Sequence, residues 1–149
     1  MAVVAHLFRA RKRGFPMEEV FAAEVEADLG FTTCVHARRG SKRQVLLVDK
    51  ETLDAMDLVP GIIRENITTQ GLNVNGLKVG ERLRAGGALL EVSMICTPCD
   101  QLERVRPGLR RELYGRRGML CRVIEGGPVQ QGDTIQRMTA EDVRSATAD

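Results

Sequence analysis

Short apolar runs, separated by glycine-rich or charged turns, dominate the hydrophobic pattern of this chain. The clearest run is residues 88–95 (ALLEVSMI), which a Gly-Gly turn joins to residues 77–85 as a predicted hairpin. The other predicted strands are residues 2–9, 20–27, 44–48, 119–125 and 129–138, with a turn at residues 126–128. This pattern predicts a mainly β fold, a closed or partly closed β-barrel with a few short helices.

Two short stretches have the spacing of helices. Asp49 is a predicted N-cap for a helix that ends near Met56, with Leu53 and Met56 facing inward. Pro107 starts a second stretch, in which Leu109 and Leu113 share one face. Neither stretch is long enough to change the mainly β prediction.

Length and composition limit the classes of protein to consider. The 149 residues suit one domain, which we expect to span residues 1–138, followed by a frayed helical or disordered tail at residues 139–149. A net charge of +2 is too small to indicate a polyanionic partner. Aromatic residues make up only 3% of the chain, so base-stacking surfaces for nucleic acid are not expected.

The cysteines and the N-terminus bear on the location of the protein. Four cysteines without a recognisable signal peptide indicate reduced cytoplasmic thiols, not a disulfide framework. The N-terminal apolar run is too short to span a membrane and meets a basic segment at residues 9–13. We therefore expect a cytoplasmic protein that has no membrane partner.

A CxxC motif, Cys96-Thr97-Pro98-Cys99, stands where the strand pattern of residues 88–95 gives way to a helical one. Thr97 is a predicted N-cap, Pro98 suits the first helical position, and Asp100 completes an approximate capping box. This places Cys99 in the first helical turn, where the helix dipole should lower its pKa. Cys99 is therefore the predicted nucleophile or soft-metal ligand.

Other interpretations of the cysteines stay open. The CxxC pair fits simple packing, and it also fits a redox pair, although the expected βαβ setting of a thioredoxin-like motif is absent. A zinc site needs four ligands, so Cys34, His36 or Cys121 would have to join the pair in space.

Polar and basic residues cluster in two further places. Residues 61–71 (GIIRENITTQG) place Arg64, Asn66, Thr68 and Thr69 between apolar anchors, which indicates a solvated edge or the lining of a polar site. The densest positive stretch follows the CxxC motif and comprises Arg104, Arg106, Arg110, Arg111, Arg116, Arg117 and Arg122. Most of these arginines suit a solvated face, but arginine also binds phosphate through two hydrogen bonds. A glycine such as Gly118 would let the backbone approach a ligand closely.

These segments together resemble the MOSC domain, named for the C-terminal domain of molybdenum cofactor sulfurases. The similar elements are RENITTQG at residues 64–71, LKVGERLRAG at residues 77–86, CTPC at residues 96–99, RGM at residues 117–119 and VIEGGPVQQGD at residues 123–133. The first half of the chain resembles the family less, through His36 and residues 43–45. One departure is Cys34, which stands where many members carry an acidic residue.

The resemblance implies a β-barrel and a link to the molybdenum cofactor, a pterin dithiolene that carries a phosphate. It implies that Cys99 ligates molybdenum or carries sulfur as a persulfide. The residues that it implies for cofactor binding are Arg64, Asn66, Thr68, Thr69, His36, Cys96, Arg117 and Gly118. Pyridoxal phosphate is not expected in this chain alone.

The leading functional prediction is therefore a MOSC protein that binds molybdopterin-type cofactor or carries sulfur through Cys99. A first alternative is a molybdenum-dependent reductase of N-hydroxylated compounds, which would need a separate electron donor. A second is a non-catalytic zinc or thiol binding module. A cysteine desulfurase or a reductase is the expected partner protein.

Overall fold

The computed structural model describes residues 1–139, so the predicted tail at residues 139–149 lies almost wholly outside the described part. The strands are β1 Val3–Arg9, β2 Glu18–Val20, β3 Ala22–Glu26, β4 Gly30–Phe31, β5 Val45–Asp49, β6 Ile67–Gln70, β7 Arg82–Ala85, β8 Ala88–Ile95, β9 Met119–Glu125, β10 Gly127–Gln130 and β11 Ile135–Arg137. The α-helices are α1 Lys50–Ala55 and α2 Leu109–Glu112, and 3-10 helices cover Val74–Gly76 and Asp100–Arg104. No helix within these residues is long and apolar enough to cross a membrane.

Eight strands form one sheet in the order β11-β7-β8-β9-β5-β6-β1-β2, and β10-β3-β4 form a second sheet. All strand pairs are antiparallel except β5 with β6. A bridge between Val3 and Thr134, with backbone hydrogen bonds around it, ties β1 to the segment before β11. The predicted mainly β fold with a partly closed sheet and few helices is confirmed, although residues 1–139 form no fully closed barrel.

The predicted ends of two strands were wrong. Residues 20–27 divide into β2, which pairs with β1, and β3, which pairs with β10, and the chain bends at the exposed Phe21 between them. Residues 129–138 likewise divide into β10 and β11, which belong to different sheets. The predicted turn at residues 126–128 is shorter than expected, because Gly127 and Pro128 already pair with β3. In each case the pairing partner decides where the strand ends.

The central strand β5 separates two hydrophobic cores. Because side chains alternate along a strand, Val45 and Leu47 pack into the core enclosed by the sheet, while Leu46 and Val48 face the other side. On that other side they meet the helical segments, including Leu53, Leu102, Leu109 and Leu113. Burial on both faces explains why residues 44–48 form a continuous apolar run in the sequence.

Both predicted helices are confirmed. Asp49 caps α1 by accepting a hydrogen bond from the Thr52 backbone N–H at 3.2 Å. Leu53, on the inner face of this helix, is fully buried. In the second helical segment, Leu109 and Leu113 are both fully buried, as their shared face predicts.

Gly118 lets the start of β9 lie against β5. Its φ is +110°, and an added Cβ would collide with the Leu47 carbonyl and lie 2.9 Å from Val48 Cγ2. Its own carbonyl accepts a hydrogen bond from the Cys96 N–H at 3.0 Å, which continues the β8–β9 ladder. Gly118 therefore places Cys96 and Arg117 side by side at one end of the sheet.

We predict that Gly118→Ala lowers the free energy of unfolding by about 1–3 kcal/mol more than Gly132→Ala does. Both glycines have positive φ, but Gly132, at +93°, has nothing within 4 Å of an added Cβ, so it controls for backbone strain alone. Urea unfolding of both variants measures the difference. Equal losses of stability would contradict the packing role given to Gly118.

Candidate functional site

A cleft of about 470 Å³ opens at this end of the large sheet. It lies between the end of β8, the starts of β5, β6 and β9, and the loop that follows β4. The predicted site residues that line it are His36, Arg64, Asn66, Cys96, Cys99 and Arg117. Residues far apart in the sequence thus meet in one cavity of a size that suits a small ligand.

Arg117 is the most unusual residue of the cleft. Its side chain is only 7% exposed, and its Nη2 donates to the Ile63 carbonyl at 2.6 Å. Its Nε and Nη1 have no hydrogen-bond partner. Leaving buried donors unpaired costs free energy, more so on a charged group, so an anion that reached these donors would stabilise the arrangement.

The remaining charge of the cleft has the same sign. Four more arginines line it, namely Arg13, Arg38, Arg43 and Arg64, and its lining contains neither aspartate nor glutamate. None of the four forms a salt bridge in the described part of the chain. Positive charge confined to a cleft raises the local concentration of anions.

Asn66 ties the cleft to the sheet. Its Oδ1 accepts from the Leu46 N–H at 3.0 Å, and its Nδ2 donates to the Phe8 carbonyl at 3.3 Å. The same Nδ2 lies 3.7 Å from the Sγ of Cys34, to which it donates. Asn66 therefore joins β1 to β5 and also supports a buried thiol directly behind the cleft.

Cys34 is the thiol with the lowered pKa. Burial raises its pKa, but the His36 imidazole, the Ala10 N–H and the His36 backbone outweigh this and lower it to about 7. The Ala10 N–H donates to its Sγ at 3.4 Å. Cys34 is 7% exposed and does not line the cleft, although its neighbours His36 and Asn66 do. At neutral pH a large share of Cys34 is thus thiolate.

The local structure predicted around Cys99 was wrong. The 3-10 helix begins at Asp100, so Cys99 is itself the N-cap residue, with extended backbone and no capping hydrogen bond from its side chain. Thr97 is exposed and lies outside the helix. Cys99 therefore lies before the first helical turn and not within it.

Cys96 and Cys99 share the cleft but differ in environment. Cys99 is exposed, whereas Cys96 is 5% exposed. Burial raises the pKa of Cys96, and the charges of Arg117 and Arg43 offset only part of this rise. Cys99 is therefore the accessible thiol of the pair.

Three predicted cofactor residues lie away from the cleft lining. Thr68 and Thr69 are fully buried in β6, and the Thr68 hydroxyl donates to Glu65 Oε2 at 2.8 Å. The same Glu65 oxygen accepts from the Gly61 N–H at 2.8 Å, which closes the loop before β6. Gly118 acts through its backbone, as described above. These residues support the cleft from behind.

Arg64 adopts an uncommon backbone conformation at the edge of the cleft. Its φ is +68°, in the left-handed region that a non-glycine residue seldom occupies. The Glu65–Gly61 hydrogen bond and the bond from Arg64 Nη1 to the Phe15 carbonyl, at 2.9 Å, hold it there. Such strain is often stored at functional sites.

Most of the arginine stretch after the CxxC motif does not serve the cleft. Arg106, Arg110 and Arg122 form salt bridges with Glu112, Asp100 and Asp28. From this stretch Arg117 alone lines the cleft. The solvated-face interpretation therefore holds for most of these residues.

Sequence reasoning missed Arg13, Arg38 and Arg43 as members of the cleft. Each lies in a basic segment that was recognisable, before β2 or between β4 and β5. The sequence does not show that the folded sheet brings these segments and Arg117 to one cleft. Within residues 1–139, no group of three or more histidine, cysteine, aspartate or glutamate side chains could hold a metal ion, so the zinc alternative gains no support.

A profile of the MOSC domain family matches residues 35–136, which is well over half of the chain. The chain belongs to the MOSC domain family. The family match includes the cleft residues from His36 to Arg117 and leaves out Arg13. No curated protein sequence matches the chain.

Solved structures show the same fold. YuaD of Bacillus subtilis is 22% identical, with a TM-score of 0.75, and the match covers 92% of this chain and 96% of YuaD. YiiM of Geobacillus stearothermophilus is 18% identical, with a TM-score of 0.77, over 93% of this chain and 76% of YiiM. YiiM of Escherichia coli is 20% identical, with a TM-score of 0.71, over 93% and 70%.

We predict that alkylation of Cys34 by iodoacetamide, followed by mass spectrometry, rises with pH through a midpoint near its pKa of about 7. The thiolate is the reactive form, so the rate is low below the midpoint and levels off above it. His36→Ala should move the midpoint upward, because the imidazole helps to lower it, whereas Val35→Ala should not. A midpoint near the ordinary cysteine value of about 8.5 in wild type would contradict this environment.

Proposed function

We propose that this protein binds the molybdenum cofactor in the cleft, with the phosphate on the arginines and with Cys99 as the residue that carries sulfur or ligates the metal. The single observation that carries the proposal is Arg117, a buried guanidinium with two unpaired donors in a cleft that also holds an exposed thiol. The MOSC family is associated with this cofactor, which gives the anion and the thiol a common ligand.

The donor set fits a phosphate. Guanidinium groups bind phosphate oxygens through paired hydrogen bonds, and Nε and Nη1 of Arg117 are buried with no other partner. Arg43 and Arg64 line the same cleft with no carboxylate to neutralise them. A bound phosphate would therefore pair donors that are otherwise buried without partners.

The thiol of Cys99 fits the molybdenum end of the cofactor. When bound, the cofactor supplies a molybdenum centre that accepts soft sulfur ligands. Cys99 is exposed at the cleft and can present its sulfur to a ligand without moving the sheet. Cys96 is buried in the same cleft, where the charges of Arg117 and Arg43 act on its thiol. A persulfide on Cys99 would require a separate sulfur donor, for which a cysteine desulfurase has the right chemistry.

We predict that inorganic phosphate raises the Tm of the wild-type protein in a concentration-dependent way, because a ligand that binds only the folded state stabilises it. Arg117→Gln should weaken phosphate binding by about tenfold, the effect of losing a charged hydrogen bond. Arg116→Gln, the adjacent exposed arginine outside the cleft, is the control and should behave as wild type.

Arg43→Gln is a second variant, since Arg43 is exposed and its loss should spare the fold. It should also weaken phosphate binding. An equal phosphate effect on Tm in wild type, Arg117→Gln and Arg43→Gln would show that phosphate acts generally and not in the cleft.

We predict that protein purified from a cofactor-producing host contains molybdenum and pterin, and that Cys99→Ala contains at least about tenfold less molybdenum. Thr97→Ala, an exposed neighbour in the same segment, is the control. Elemental analysis and pterin fluorescence give the two contents. If wild type holds no molybdenum, a persulfide on Cys99 by mass spectrometry would support the sulfur-carrying form. Equal molybdenum in Cys99→Ala, or neither molybdenum nor persulfide in wild type, would overturn the proposal.

A further inference from the structure

A second depression, the groove, adjoins the cleft. It has a volume of about 570 Å³ and lies between the loop before β2, the loop before β6 and the 3-10 helix at Asp100–Arg104. Arg13, His36, Arg64 and Gln101 line both the groove and the cleft. The two cavities are therefore neighbours that share one wall.

Several large apolar side chains are exposed to solvent in the groove. Phe15 is 58% exposed, Val59 64% and Ile62 40%, and all three line the groove. They come from two loops that are far apart in the sequence. Apolar side chains from separate loops that gather in one concave place, rimmed by polar groups, are typical of a ligand site.

The charge of the groove is wholly positive. Arg13, Arg64 and Arg104 line it, and its lining has no aspartate or glutamate. None of the three has a salt bridge within residues 1–139. Elsewhere in the described chain, arginines commonly pair with carboxylates, as Arg82 does with Glu91 and Arg84 with Glu125. Unpaired guanidinium groups beside exposed apolar surface favour a ligand that is both apolar and anionic.

The groove is built from fixed parts. Gly61 has φ +86° and lies so close to the Phe8 ring that an added Cβ would come within 2.6 Å of it. Glu65 Oε2 accepts from the Gly61 N–H, and Arg64 Nη1 donates to the Phe15 carbonyl. These contacts fix the loop before β6 against β1 and tie the two loops of the groove to each other. A preformed site loses less conformational entropy when it binds a ligand.

We propose that the groove binds a small organic acid, a molecule with a flat apolar body and one carboxylate or sulfonate group. Phe15, Val59 and Ile62 contact the apolar body, and Arg64 and Arg104 bind the acid group. The shared lining residues place this ligand next to whatever the cleft holds, which is the arrangement of a substrate beside a cofactor. Phe15, Val59, Ile62 and Arg104 line the groove but not the cleft, so variants of these residues test the groove separately from the anion in the cleft.

The test compares naphthoate with its neutral analogue naphthamide on the full chain without cofactor. The two molecules share an apolar body and differ in the acid group, so the difference in affinity isolates the charge. We expect naphthoate to bind at least about tenfold more tightly. Amide shifts in proton–nitrogen spectra of the isotope-labelled protein should be concentrated at Phe15, Ile62 and Val105. Equal affinities, no binding, or shifts confined to another region would overturn the proposal.

Two matched pairs of variants test the assigned contacts. Arg104→Gln should weaken the binding of naphthoate by about tenfold and leave the binding of naphthamide unchanged. Its control is Arg111→Gln, at an exposed arginine that lies outside the groove and also has no salt bridge within residues 1–139. This variant should bind both molecules as wild type does. Val59→Gln should weaken the binding of both molecules. Val79→Gln, at a similarly exposed valine outside the groove, should weaken the binding of neither. If the control variants lose binding as the groove variants do, the ligand lies elsewhere and the proposal fails.

The cofactor proposal can fail separately from this one. Cys99 does not line the groove, so Cys99→Ala should bind naphthoate as wild type does, whatever its molybdenum content. A loss of naphthoate binding in Cys99→Ala would place the acid in the cleft and overturn the assignment to the groove.

Discussion

The buried guanidinium of Arg117 is the constraint on which the functional end of this molecule depends. It has one protein partner, the Ile63 carbonyl, and two donors without any. A fold that buries a charge in this way is stabilised when an anion reaches the free donors, because the cost of desolvating them is then offset by charged hydrogen bonds. The rest of the cleft lining also favours an anion, since it contains four more arginines and no carboxylate.

The sheet explains how so many separate segments reach Arg117. Strand β5 lies between β9 and β6, so the ends of these strands and the loops attached to them converge on one edge. Gly118 permits the close approach of β9 to β5, and Asn66 joins β5 to β1 through hydrogen bonds with both strands. The same loop that presents Arg64 also forms a wall of the groove, so one loop serves both cavities.

Local patterns in the sequence were enough to predict the mainly β fold and the Asp49 cap. The family resemblance named Arg64, Asn66, Cys99 and Arg117 as site residues, and the fold brings these four to one cleft. The patterns failed where long-range pairing decides the structure. Phe21 lies in an alternating run, yet the strand breaks there because its two halves join different sheets. The sequence presented Cys34 only as a possible zinc ligand. Its lowered pKa depends on His36 and on the Ala10 N–H, which only the folded chain brings to it. The sequence shows that arginines are dense after the CxxC motif, but it does not show which of them pair with carboxylates in the fold, as Arg106, Arg110 and Arg122 do.

The most direct measurement is the proton–nitrogen resonance of the Arg117 Nε–H group during titration of the 149-residue chain with inorganic phosphate. The account predicts that this signal shifts and saturates as phosphate fills the cleft, because Nε is one of the two unpaired donors. The Nε–H of Arg116, which already donates to the Glu112 carbonyl at 2.9 Å, should stay unchanged. A signal from Arg117 that does not respond to phosphate, or that responds no more than Arg116 does, would contradict an anion site centred on Arg117.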